Sequence, residues 1–112
     1  MPPETAATAS MTPPTLRFGA FELDVPAGRL RRDGQPVDLA PRPFALLVYL
    51  SRHAGRLVSK DELLDAVWGY DAMPTTRTVD VHVAWLRQKL EEKPRHPKYI
   101  HTVHGMGYKF TA

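Results

Sequence analysis

The side chains with the clearest chemical meaning lie between positions 77 and 88, where Arg77, Val81, Ala84, Trp85 and Gln88 follow one another at steps of four, three, one and three. On a helix those steps draw one stripe. A second stripe, Val79, Val83, Leu86 and Leu90, is purely apolar and belongs to a core, so the first must face outward. An outward Val and Trp between Arg and Gln need a partner with both apolar and hydrogen-bonding features. The major groove of double-stranded DNA offers both, since Arg and Gln reach base edges while apolar side chains meet thymine methyls. The rival use of the same stripe is a protein–protein contact, with Trp85 as its aromatic anchor. Salt separates the two, because phosphate contacts weaken steeply with ionic strength.

Other clusters of titratable groups do not assemble into a reaction centre. His101 and His104 lack a third ligand or an acidic partner at suitable spacing, so neither a metal nor another cofactor is expected. Asp61, Glu62 and Asp65 lie near a helix start, where capping and dipole compensation account for them. No nucleophile and base are recognisable as a pair, and the expectation is that the chain is not an enzyme. The absence of cysteine excludes a disulfide framework and a thiolate metal site, and is compatible with the reducing cytoplasm, the expected location.

The elements that must carry the outward stripe follow from periodicity. Phe21, Leu23 and Val25 alternate with Glu22 and Asp24 as on a half-buried strand, and Asp33-Gly34 supplies a tight hairpin turn before Val37 and Leu39. This predicts a small antiparallel N-terminal sheet of three or four strands. From Pro43 the pattern turns helical: Phe44, Leu46, Leu47, Val48 and Leu50 make a nearly all-round apolar helix that Gly55 can close. A capping box, Ser59-Lys-Asp-Glu62, opens a second helix with Leu63, Leu64, Val67 and Trp68, stopping at Gly69. Residues 70–75 connect it to a third helix over 76–92, capped by Thr75 or Thr76 and ended by Pro94 and Pro97. Residues 99–110 close the chain as a β-hairpin around Gly105-Met-Gly107. Sheet, three helices and hairpin make an α+β winged helix-turn-helix, with helix 76–92 placed to read a major groove and wing 99–110 beside it.

At 112 residues there is room for one domain, expected over 16–112. Residues 1–15, rich in Pro, Thr and Ala, read as a disordered arm or interdomain linker. Charge is uneven: residues 1–76 hold 8 basic and 9 acidic side chains, whereas 77–112 hold 7 basic and 3 acidic ones with four of the five histidines. A basic segment of that kind suits a polyanion. The longest apolar run, 44–50, is far below the ~20 residues of a membrane span, and no membrane partner is expected.

Three strings, Leu63-Leu-Asp-Ala-Val-Trp-Gly69, Arg77-Thr-Val-Asp-Val-His-Val83 with Leu86-Arg87, and Thr102-Val-His-Gly-Met-Gly-Tyr108, resemble hallmark segments of the OmpR/PhoB-type effector domain of two-component response regulators, in uninterrupted order from about 16 to 110. The resemblance implies a four-stranded N-terminal sheet, three helices and a wing that enters the minor groove. It implies transcription regulation by binding direct repeats of double-stranded DNA, with two copies head-to-tail. It also implies an RNA polymerase contact through the loop Tyr70, Asp71, Ala72, Met73, Pro74 and Thr75. Trp68 matches a tryptophan that donates to a phosphate, a role compatible with completing the core. Arg77, Thr78, His82 and Arg87 match phosphate-contacting positions, with Arg77 and Arg87 expected on DNA ahead of an intramolecular salt bridge and His82 open to either role, and Val81, Trp85 and Gln88 are expected to face the bases. Thr102, His104 and Tyr108 match the wing, Tyr108 either touching the DNA backbone or packing beneath. Asp80 is expected to orient a neighbouring arginine. The chain departs from the family pattern in Ala84 and Trp85, where many relatives carry two arginines, in His104, where they carry a wing arginine, and in Ala40, where a polar helix cap is usual. An upstream receiver domain, linked through the arm, and a free-standing regulator are both compatible with the sequence.

Overall fold

The computed structural model describes residues 15–69 and 74–112. The fold divides into two compact units between Asp38 and Leu39. Apart from Thr15, the expected arm lies outside the described residues.

The first unit is an antiparallel meander of β1 (Thr15–Phe18), β2 (Phe21–Asp24), β3 (Arg29–Arg32) and β4 (Gln35–Val37), in that order. Register aligns Leu16, Leu23, Leu30 and Val37 into one cross-strand row, while the adjacent row Arg17, Glu22 and Arg31 lies on the opposite face. Glu22 accepts from Arg17 at 3.0 Å and lies 3.9 Å from Arg31, so alternation separates an apolar face from an ion-paired one. Asp33 and Gly34 take φ of 51° and 81° in the two-residue turn between Arg32 and Gln35, the left-handed pair that a tight hairpin requires. Val25 and Leu39, expected as strand residues, fall just beyond β2 and β4. β1 starts at Thr15, the last residue of the expected arm.

The second unit opens with α1 (Pro41–Arg52), two residues earlier than expected, because Pro41 supplies a pre-set φ at the first helical position. Ala40 sits at its N-cap with no side-chain bond. Its buried residues are Pro43, Leu46, Leu47 and Leu50, whereas Phe44 and Val48 are only half-buried, so the helix is less enclosed than its composition suggests. A short strand, β5 (Leu57–Ser59), follows and was not foreseen. The next helix, α2, is an α-helical turn, Lys60–Leu63, that widens to π-helix over Leu64–Trp68. Ser59 Oγ accepts from the Glu62 amide at 3.0 Å, as the capping box requires.

The third helix, α3 (Thr76–Leu90), buries Val79, Val83, Leu86 and Leu90, the expected stripe. It stops at Leu90, short of 92, because Glu91 turns extended and spends its carboxylate elsewhere. The wing is β6 (Ile100–Val103) and β7 (Gly107–Phe110), and β5 pairs with the far side of β7 to give the order β5-β7-β6. A Cβ at Gly107 would stand 2.1 Å from the Val58 carbonyl oxygen, so glycine is what allows β5 that close. Three helices, an N-terminal antiparallel sheet and a C-terminal hairpin form a winged helix. No helix among the described residues is long and apolar enough to cross a membrane.

Candidate nucleic-acid interface

Because the 79/83/86/90 stripe is buried, α3 turns Arg77, Val81, Ala84, Trp85 and Gln88 outward, and all five are exposed. Val81 (39 %) and Trp85 (54 %) on the helix and Met106 (58 %) at the wing tip are the exposed large apolar residues among those described. Beyond Gln88 an open hollow is lined by Lys93, Pro94, Arg95 and His96, which adds positive charge at the carboxyl end of α3.

A run of ring contacts stands beside this face. The Arg42 guanidinium donates to the Val67 carbonyl at 2.8 Å and lies 5.7 Å from the Trp68 ring centre. His82 meets Trp68 edge-on at 4.9 Å and Trp85 at 4.7 Å. Its Nδ1 is 2.8 Å from the Thr78 carbonyl, an acceptor only, so Nδ1 is the donor of that bond. Trp68 and His82 are both half-buried, and their packing role is thus realised beside any outward one.

Some of the residues expected alongside these on DNA also hold α3 to the wing. Arg87 donates from Nε (3.2 Å) and Nη2 (2.9 Å) to the Ile100 carbonyl and from Nη2 to Thr102 Oγ1 at 2.8 Å. It makes no salt bridge, and Nη1 keeps no partner among the described residues. Tyr108 is buried, with its hydroxyl donating to Asp80 and its ring flanked by Lys60 and Arg87. Burial, then the bond to Asp80, pushes the phenol well above its ordinary range. Asp80 does not orient an arginine, contrary to expectation: its partners are Tyr108 and, at 3.0 Å, Lys60. Arg87, seven residues or roughly 10 Å further along the helix axis, donates to the Ile100 carbonyl. Thr102 and His104 are exposed.

Two acidic residues have roles that sequence reasoning missed. The Glu91 carboxylate is buried and accepts from the backbone amides of Lys98 (2.6 Å), Tyr99 (3.0 Å) and Ile100 (3.0 Å), clipping the end of α3 to the start of β6. An acid at a helix C-terminus opposes the dipole, and that anomaly was the available signal. Glu62, besides its amide in the cap, accepts from the Tyr49 hydroxyl and from Arg56 at 2.6 Å. Arg56 first, then Tyr49, holds its carboxyl down at about 2.

Tyr70, Asp71, Ala72 and Met73 of the expected polymerase loop lie outside the described residues. Pro74 is half-buried, and Thr75 occupies the α3 N-cap without a side-chain bond, its carbonyl accepting from the Thr78 amide at 2.9 Å. No group of three or more potential metal ligands occurs among the described residues. His101 faces the Lys98 carbonyl and Thr111 Oγ1.

Residues 34–110 match the family described as "Transcriptional regulatory protein, C terminal". The alkaline phosphatase synthesis transcriptional regulatory protein SphR of Synechococcus elongatus is 41 % identical over 98 residues, 88 % of this chain and 38 % of SphR. The chain thus spans well under half the length of that relative. Among solved structures, the response regulator DrrB of Thermotoga maritima, an OmpR/PhoB homologue, superposes with a TM-score of 0.85 at 26 % identity, covering 97 % of this chain and 49 % of DrrB. The RstA DNA-binding domain of Klebsiella pneumoniae, solved in complex with the RstA box, gives 0.76 at 35 % identity, over 87 % of this chain and 96 % of that one.

Proposed function

Because the chain belongs to the family of transcriptional regulatory protein C-terminal domains, the non-enzymatic winged-helix type of OmpR and PhoB, we propose that it regulates transcription by sequence-specific binding of double-stranded DNA. The carrying observation is the outer face of α3, where Arg77, Val81, Trp85 and Gln88 stand exposed with no hydrogen bond or ion pair among the described residues. In this reading α3 lies in the major groove and the wing tip, His104 and Met106, in the adjacent minor groove. Trp68, Arg77, Thr78, His82, Thr102 and the free Nη1 of Arg87 line the flanks, where phosphates run. Tyr108 acts from below, as the support on which the wing stands.

In the same reading the domain is the output half of a two-component phosphorelay in the cytoplasm, with a receiver domain upstream if the chain is part of a longer protein, or a free-standing regulator if it is not. Two copies sit head-to-tail on direct repeats, and residues 70–75 touch RNA polymerase. These finer statements rest on family resemblance. The deciding experiment titrates a labelled mixed-sequence duplex at two ionic strengths. With about five phosphates neutralised by lysine and arginine side chains, log K is expected to fall with log salt at a slope of roughly −4 to −5. Absent duplex binding, or binding indifferent to salt, overturns the reading in favour of a protein contact through Trp85.

A further inference from the structure

We infer that α3 reads thymine through its 5-methyl groups, with Val81 and Trp85 as the reading surface and His82 as the residue that positions Trp85; this rests on the DNA-binding reading above. The outer face of α3 is polar only at its ends. Arg77 and Gln88 are separated by eleven residues, roughly 16 Å along the axis. Between them stand Val81, Ala84 and Trp85, all exposed, whose side chains hold one hydrogen-bond donor in total, the indole N–H, and no acceptor. Guanine is read by two donors and adenine by a donor–acceptor pair, and the centre of this face provides neither. What it provides is apolar area, and the apolar feature of a major groove is the 5-methyl group. Ala84, with only a methyl, leaves the helix room to come close.

A second protein is the less suitable occupant of this surface. Arg77 at one end of this face, and Lys89 with the Lys93 and Arg95 of the hollow beyond Gln88 at the other, put positive charge on both sides of the Val81–Trp85 patch along the helix, which another copy of the same face would repel and a phosphate backbone attracts. Trp85 is also not a loose side chain. Its ring is in tilted contact with His82, at 59° and 4.7 Å between centres, and His82 is tied through Nδ1 to the Thr78 carbonyl and backed by Trp68, itself beneath Arg42. More than half of the residue remains open despite that support. An indole held in place before binding loses little rotamer freedom when it docks, which is the property a reading side chain needs.

The test uses duplexes that the unaltered chain selects from a random pool. Each thymine is replaced in turn by deoxyuridine, which lacks only the methyl. Burial of one methyl corresponds to about a fourfold change in affinity, so one or two neighbouring thymines should each lose about that much and the rest nothing. Trp85→Ala and Val81→Ala should each bind more weakly and cease to distinguish thymine from deoxyuridine at one of those positions, with the salt slope kept. His82→Ala should reduce the discrimination at the Trp85 position, and His82→Phe, which keeps a ring under the indole, should restore it. Salt-dependent binding with no deoxyuridine effect at any position overturns the inference and leaves DNA binding standing, whereas absence of salt-dependent binding overturns DNA binding itself. Trp85→Ala that loses cooperativity on tandem sites, with single-site deoxyuridine sensitivity intact, places the indole between copies and equally overturns the inference. Full discrimination in both His82 variants removes His82 from it.

Discussion

The outer face of α3 and the seam where the same helix meets the wing are built from similar residues, and each contains one of the two arginines expected on phosphates. Arg77, on the outer face, is exposed and has no partner among the described residues. Arg87, in the seam, makes three hydrogen bonds to Ile100 and Thr102 and covers the Tyr108 ring. Residue type and helix position therefore do not decide what a side chain is for; the partners already present do. Unsatisfied groups on the outer face are left for another molecule, while satisfied groups in the seam fix the angle at which helix and wing are presented.

The largest expected effect lies in the seam. Glu91→Ala leaves three backbone amides without their acceptor in a buried site, and urea unfolding should show a loss of about 3 kcal/mol or more. A loss below about 0.5 kcal/mol would mean that water replaces the carboxylate and that the seam is softer than its geometry. Next come the two arginines as a pair. Arg87→Ala should lower stability by about 1–2 kcal/mol through its lost bonds. Arg77→Ala should leave stability within about 0.5 kcal/mol while making the salt dependence of duplex binding shallower by about one phosphate contact. Exchange of those two outcomes would invert the comparison. Tyr108→Phe is milder, about 1 kcal/mol, and should act on stability with the wing in place, since only the bond to Asp80 is removed.

The same contrast explains what could be read from the sequence. The buried stripe Val79, Val83, Leu86 and Leu90, and hence the outward one, is a matter of helical period, which needs no knowledge of the rest of the chain. The Asp33-Gly34 turn is equally local. By contrast β5 is three residues long and exists because Gly107 lets Val58 come close, a relation across forty-nine positions. The pairings of Asp80 with Lys60 and Tyr108 are likewise long-range, and nothing in the local pattern separates an aspartate that supports a tyrosine from one that orients an arginine; the bonds of Glu91 to the amides of 98–100 reach only seven to nine positions, but across a helix end and a loop that periodicity does not describe. Local periodicity thus exposed the face left for a partner, and tertiary bonds hid the part that supports it.

The smallest expected effect extends the comparison to α2, where Glu62 is another satisfied group, bonded to Arg56 and Tyr49. Its carboxyl is held at about 2 against an ordinary 4.5, so in the folded chain it stays ionised to lower pH than in the unfolded one. The stability it contributes is complete above pH 4.5 and is lost as pH falls from there towards 2. About a third of the side chain is exposed, and half of Arg56, so solvent screens the pair and the contribution is modest. Glu62→Gln cannot titrate. Urea midpoints measured at several pH values should fall less steeply below pH 4.5 in the variant than in the unaltered chain, and both should keep the same salt slope on duplex DNA at neutral pH, because Glu62 spends its oxygens inside the chain. An acid limb of equal steepness would assign the acid response to other carboxylates, and an altered salt slope would move Glu62 from the supporting side of the comparison to the binding one.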